Sequence, residues 1–246
     1  MNLVLYAPVA VSPGGFPRNE QGRPYLPGEA VRQAVFTAVF VYATRRDRAF
    51  RERVRREVTA RVPNRALPDL LRRLEDLLLH RWPWLAGLHV PDIPLRRVER
   101  LRVLWIRLED GQVEGEAMLE TTRDVLPLPM PCTGEQQALL DAAGRSFTEA
   151  LAEAEWRWIR DVLPQLEPFY QDLKGHVLKH APLPLRVGYW TDDPYQGRLL
   201  AFWRVPEVRR VVRNLYRRDP RPSTVLYAPR LQQTLGWSWW GEVTAL

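Results

Sequence analysis

The chain has 246 residues, a formal charge of +7 and a sequence pI near 10.0, and all but two of its 36 cationic side chains are arginines. One cysteine, Cys132, excludes an intrachain disulfide and a Cys-rich zinc site, and the longest uncharged apolar stretch, Ala34 to Ala43, is too short to span a bilayer. A hydrophobic fraction of 46% is that of a globular protein with a real core, in one large domain or two small fused ones.

In chain order, Asn2 to Val11 is expected to form a strand with Leu3, Leu5, Ala7 and Val9 on one face. Residues Ser12 to Pro27 are a loop punctuated by glycine and proline. A helix starts at Pro27-Gly28 and runs to about Thr44, with Val31, Val35, Ala38 and Tyr42 as its apolar stripe. It continues into a basic helix, Arg45 to Arg61, in which Phe50, Val54 and Val58 mark a narrow apolar side among six arginines. Asp69 is expected to cap a short helix carrying Leu70, Leu74, Leu77 and Leu78, which Pro83 ends.

The segments Arg100 to Glu109 and Gln112 to Glu120 form a hairpin around Asp110-Gly111, with Leu104, Ile106 and Leu108 on one face. A proline-rich loop follows. Ser146 and Glu149 have capping-box spacing, ahead of a helix with Phe147, Ala150, Leu151, Ala154 and Trp158 inward. Leu183 to Trp190 and Arg198 to Arg204 are expected to pair around Asp192-Asp193-Pro194. A helix from Pro206 turns Val208, Val211, Val212 and Leu215 inward, and Val225 to Tyr227 is a short strand. The chain then reaches the aromatic cluster Trp237-Ser238-Trp239-Trp240. Interleaved strands and helices with hairpins predict an α+β, ferredoxin-like plan. The pentapeptide Val4-Leu5-Tyr6-Ala7-Pro8 recurs at Val225 to Pro229, which would fit two related halves, 1–130 with a helical insertion at about 45–82, and 131–246.

Catalytic chemistry is not evident. His176 and His180 lie one helical turn apart without a supporting acid, Asp192-Asp193 precedes a proline as turns do, and Cys132 has no flanking nucleophile signature. There is no phosphate loop and no dinucleotide fingerprint, so no cofactor, metal or small-molecule substrate is expected. Arginine's planar fork matches phosphate and stacks on bases, which favours a nucleic-acid partner, although GC-rich coding also enriches arginine. Without a basic n-region and apolar h-region at the N-terminus, a cytoplasmic protein with no membrane association is expected.

The segment Gly22-Arg23-Pro24-Tyr25-Leu26-Pro27-Gly28-Glu29-Ala30-Val31-Arg32-Gln33-Ala34-Val35 resembles the signature of RAMP proteins, the RNA-binding subunits of CRISPR systems. Glu29 and Ala30 stand where that pattern has serines, Gln33 where it has glycine and Phe36 where it has arginine. The resemblance implies a helix N-terminus that receives an RNA phosphate, with Gly28 allowing close approach and Arg32 adding a charged fork. The RNA contact set it suggests is Arg18, Arg23, Pro27, Gly28, Arg32, Arg45, Arg46, Arg48, Gly236 and Trp237. The absence of an aspartate in residues 12–27 argues against the cleaving backbone subunit of type III complexes. The insertion after the P-G helix is more like the terminal subunit of the type III-A Csm complex, which caps the filament near the 3′ end of the CRISPR RNA. The implied partners are CRISPR RNA and other effector subunits. The alternatives are a RNA-processing RAMP endoribonuclease, the repeated backbone subunit, and a basic protein of DNA or membranes.

Overall fold

A computed structural model describes residues 2–60, 66–129, 132, 134–188, 205–216 and 224–241. Its N-terminal part contains β1 (Asn2–Leu5), β2 (Tyr25–Leu26), α1 (Gly28–Arg46), α2 (Arg48–Thr59), α3 (Leu67–Arg81), β3 (Ile93–Pro94), β4 (Glu99–Arg107), β5 (Val113–Thr121) and β6 (Val125–Pro127). Then come α4 (Gly134–Ile159), α5 (Glu167–Asp172), α6 (Leu178–His180), β7 (Pro184–Arg186), α7 (Pro206–Tyr216), β8 (Thr224–Ala228), β9 (Gln233–Thr234) and β10 (Trp237–Gly241).

The strands form two four-stranded antiparallel sheets, in the orders β6-β1-β10-β7 and β5-β4-β8-β9, and a small β2-β3 pair. The fold is α+β, as expected. Both large sheets draw strands from either side of residue 130, so the halves 1–130 and 131–246 are interleaved and no sheet boundary falls there. The repeated pentapeptide supplies an inner strand to each sheet: β1 in the first and β8 in the second.

The expected hairpin is present. Gly111 adopts φ +74°, which the turn demands, and the Arg107 guanidinium donates to Asp110 at 2.9 Å across it. Leu104, Ile106 and Leu108 join the main core through Val225 and Tyr227 of β8, while Leu101 and Val103 build a smaller cluster with Leu226 and Ala228 on the other face. The opening strand is shorter than its alternation suggests: pairing stops at Leu5, and Val9 returns only as an isolated bridge to Thr122.

Three helix boundaries differ from the sequence pattern. The arginine-rich stretch is not one continuous helix with its predecessor. The chain breaks at Asp47, in an extended conformation, and the Asp47 carboxylate accepts the Phe50 N–H at 3.0 Å to cap α2. That bond, with Arg81 beside it, holds the carboxyl below the usual range. Phe50, Val54 and Val58 are buried as the pattern requires. Conversely, Ser146 and Glu149 do not start a helix, because α4 runs unbroken through them. Finally, α3 begins at Leu67, so Asp69 lies in its first turn instead of capping it. The proposed hairpin partner 198–204 lies outside the described residues, and β7 pairs with β10 instead.

Helices α1 and α4 pack on each other and on β7. At the centre of this contact is a buried ionic network. The Arg186 and Glu155 side chains are 4% and 1% exposed and form an ion pair. Arg186 Nε donates to the Leu235 carbonyl at 3.1 Å, and its guanidinium lies 4.8 Å from the Trp237 ring centroid. Tyr170 donates to Glu155 at 2.6 Å and shares a 3.0 Å hydrogen bond with Thr234, which also accepts the Trp237 indole N–H. Burial, then the Glu155 carboxylate, raises the Tyr170 hydroxyl well above its usual pKa.

Removing one member of such a pair leaves a buried charge alone. Arg186→Met should therefore destabilise the protein by about 3–5 kcal/mol in urea unfolding, whereas the double change with Glu155→Leu should cost less than Arg186→Met alone. A double variant less stable than the single would contradict this account.

Candidate nucleic-acid interface

The P-G segment enters α1 through a turn fixed from several sides. Arg18 and Pro24 form an isolated bridge, Leu95 N–H donates to the Pro24 carbonyl at 3.0 Å, and β2 pairs with β3. Pro27 precedes the first turn, and no side chain from α1's own N-cap closes it. The closing group comes from elsewhere: the Asp92 carboxylate accepts the Gly28 N–H at 2.9 Å. A carboxylate is the kind of anion that a helix start attracts, so the place expected to receive a phosphate already holds one of the protein's own acids.

Gly28 has a comparable explanation. A Cβ at this position would stand 1.9 Å from the Val90 carbonyl oxygen. Glycine is needed here because the chain's own backbone comes close, not because a nucleic-acid backbone does.

The departures from the RAMP pattern form one local arrangement. Arg32 is paired with Glu29 at 3.0 Å and lies 3.8 Å from Glu75, and its guanidinium sits 4.2 Å from the centroid of Phe36. Gln33 donates to the same Glu29 at 2.6 Å. Glu29, Gln33 and Phe36 thus surround Arg32 with an acid, an amide and a ring. Its expected role as a fork for phosphate is replaced by these internal contacts, and its side chain is 22% exposed.

The two C-terminal members of the expected set are buried. Gly236 has φ +91°, and a Cβ there would lie 2.6 Å from the Val187 carbonyl oxygen. Trp237 is 1% exposed, its indole N–H is bonded to Thr234, and Arg186 covers its ring. It offers no face on which a base could stack. Trp239 and Trp240 are also in the core.

The remaining expected residues separate into two groups, one at each end of α1. A helix of 19 residues places those ends roughly 28 Å apart. At the N-terminal end, Arg18 is paired with Glu120 at 2.8 Å, while Arg23 is exposed. Near them lie Arg96, Arg97 and Arg123, which the sequence reading did not single out. Arg97 and Arg123 line a cleft of roughly 400 Å³ with Leu5, Glu99, Thr121, Thr122 and Asp124. The cleft is of mixed charge: Arg97 is paired with Glu99 at 2.7 Å, and its backbone N–H donates to Asp124.

At the other end, Arg45, Arg46 and Arg48 are exposed around the break between α1 and α2. Arg45 reaches across to α4, where it donates to the Ser146 carbonyl at 3.1 Å. Among the described residues no three His, Cys, Asp or Glu side chains come together as a metal site. Cys132 is half-buried, and burial raises its thiol pKa above the usual value, which makes it a poor nucleophile. Asp92 escaped the sequence reading because its partner lies 64 residues away; only the flanking Pro91 and Pro94 mark the segment as a turn.

No family model matches the chain. A protein of Aquifex aeolicus (strain VF5), described as an uncharacterized protein, is 30% identical over 242 residues, covering 97% of this chain and 98% of its own. Two solved structures share the fold. One is a chain of a Csm–crRNA–target RNA ternary complex in a type III-A CRISPR–Cas system, with a TM-score of 0.58 and 16% identity over 92% of this chain and 74% of that one. The other is Csm5 of T. onnurineus, with a TM-score of 0.52 and 17% identity over 92% and 73%.

Two substitutions test the geometry of the helix start. Gly28→Ala should cost about 1–3 kcal/mol through overpacking against Val90, and Asp92→Ala about 1 kcal/mol through loss of the cap. Both are read by urea unfolding, and a Gly28→Ala protein as stable as the parent would refute the close approach.

Proposed function

The chain belongs to the same family as the Aquifex aeolicus protein, and from that premise and its Csm-like fold we propose that it is a non-catalytic, CRISPR RNA-binding subunit of a type III effector complex. Within the complex it occupies the end of the filament near the 3′ end of the RNA and caps it. The observation that carries this reading is the fold: 92% of the chain superposes on a chain from a Csm complex that contains crRNA and target RNA. The strongly basic, arginine-dominated composition supports a polyanionic partner. The terminal position is supported by the α2–α3 insertion after the P-G helix. A subunit that repeats must offer complementary surfaces at both ends, and an insertion that covers one of them stops growth.

The non-catalytic reading rests on the absence of an aspartate from residues 12–27. Asp92 is the acid at the P-G turn, and its carboxylate is engaged with Gly28.

The test is co-expression with the neighbouring CRISPR subunits, followed by mass measurement of the intact assembly and incubation with labelled repeat and target RNA, with and without Mg²⁺. One copy per assembly, bound RNA of defined length and no cleavage are expected. Several copies stacked along one RNA would identify a backbone subunit instead. Cleavage that disappears in an Asp92→Ala, His80→Ala or His89→Ala protein would identify a nuclease.

A further inference from the structure

Charge is distributed unequally along α1. At its N-terminal end, cations and acids alternate and are largely paired: Arg18 with Glu120, Arg32 with Glu29, Arg97 with Glu99, and Asp92 on the helix start. The C-terminal end is different. There Arg45 is held by a backbone carbonyl of α4, that of Ser146. The neighbouring Arg145 in turn donates to the Lys179 carbonyl of α6 at 2.6 Å, and His180 follows Lys179. Arg51 adds its guanidinium to the last carbonyls of α1, those of Thr44 and Arg45. A carbonyl fixes a guanidinium in place without neutralising its charge, unlike a carboxylate.

The result is one continuous band across three elements: Arg48, Arg46 and Arg45 at the α1–α2 break, Arg145 on α4, and Lys179 and His180 on α6. Arg46, Arg48, Lys179 and His180 are exposed. The acids close to the band are two. Asp47 is engaged with the Phe50 N–H and Arg81, and Glu149 lies one turn along α4 from Arg145.

We propose that this band, and not the P-G end of α1, is the principal surface on which the protein receives the sugar–phosphate backbone of single-stranded RNA. The inference rests on the reading of the chain as an RNA-binding subunit and adds where on the molecule the RNA lies. Its physical basis is that phosphate binding releases counterions only where cations are not already neutralised by the protein's own acids. The band satisfies that condition, whereas the P-G end supplies its own anion.

The experiment measures binding of a fluorescent single-stranded RNA of mixed sequence to the full chain across a range of KCl concentrations. Three proteins are compared: the parent, a band variant (Arg46→Ala, Arg48→Ala, Lys179→Ala) and a P-G-end variant (Arg23→Ala, Arg96→Ala, Arg123→Ala). All six positions are exposed, and circular dichroism checks that each protein is folded. The band variant should bind at least about tenfold more weakly, with the slope of log K against log salt reduced by about 2, since each lost phosphate contact removes about 0.7. The P-G-end variant should change affinity less than about threefold. Parent-like binding by the band variant, with loss in the other, would overturn the inference and leave the RNA-binding function standing. Absence of salt-dependent RNA binding by the parent would overturn both. Equal binding of poly-glutamate and RNA by the parent would reassign the band to an acidic protein surface.

Discussion

A guanidinium and a carboxylate shut away from water are expensive to desolvate, and this protein places that pair where its two sheets and its two longest helices converge. Glu155 comes from the middle of α4, Arg186 ends β7, and the groups that satisfy the rest of their hydrogen-bonding capacity come from α5, β9 and the β9–β10 turn. Because every partner is supplied by a different element, the network forms only when all of them are in register. An apolar cluster of the same volume would tolerate sliding, and the ionic one does not. The same network fixes Trp237, and with it β10, the strand that joins β1 to β7.

From that anchor the surface follows. β7 positions α4 and α1 against each other, and their packing brings Arg45 to Ser146 and Arg145 to Lys179. The basic band is therefore a product of tertiary packing, assembled from residues about a hundred positions apart. The opposite end of α1 shows the complementary behaviour. There the chain keeps the proline, glycine and arginine of a motif associated with anion binding. It surrounds them with Asp92, Glu29 and Phe36, so that the motif serves to seat the helix on the Val90–Pro91 backbone.

What the sequence made legible was whatever depends on short-range periodicity. The Asp110-Gly111 hairpin and the buried faces of α2 and α3 follow from spacing alone, and the structure contains them. The errors share a cause. Asp47 caps a helix and Ser146 does not, yet nearby residues alone give Ser146 the stronger signal. What decides each case is a distant partner: Arg81 beside Asp47, and Arg45 on the Ser146 carbonyl. Likewise the tryptophans near 237–240 carry the composition of a stacking platform, and only the strand pairing on both sides of β10 reveals that they are interior. Of the residues expected at the RNA surface, the exposed arginines survive as candidates, while the glycines and the tryptophan are explained by the protein's own packing.

The pairing of Asn2 with Gly241, at the far ends of β1 and β10, has a consequence for how the chain acquires its structure during synthesis. The first strand to leave the ribosome is an inner strand of its sheet, and one of its two neighbours is not made until almost the whole polypeptide has been translated. Until then, the pairing side of β1 that β10 will cover presents open backbone N–H and C=O groups along an apolar strand, a template for association with other chains. Closure of the sheet is thus a late, long-range event that carries a large loop-closure penalty. Nascent or truncated chains lacking the last strand would expose the same edge, so yield on expression should depend on chaperone supply more steeply than the stability of the finished fold alone would suggest.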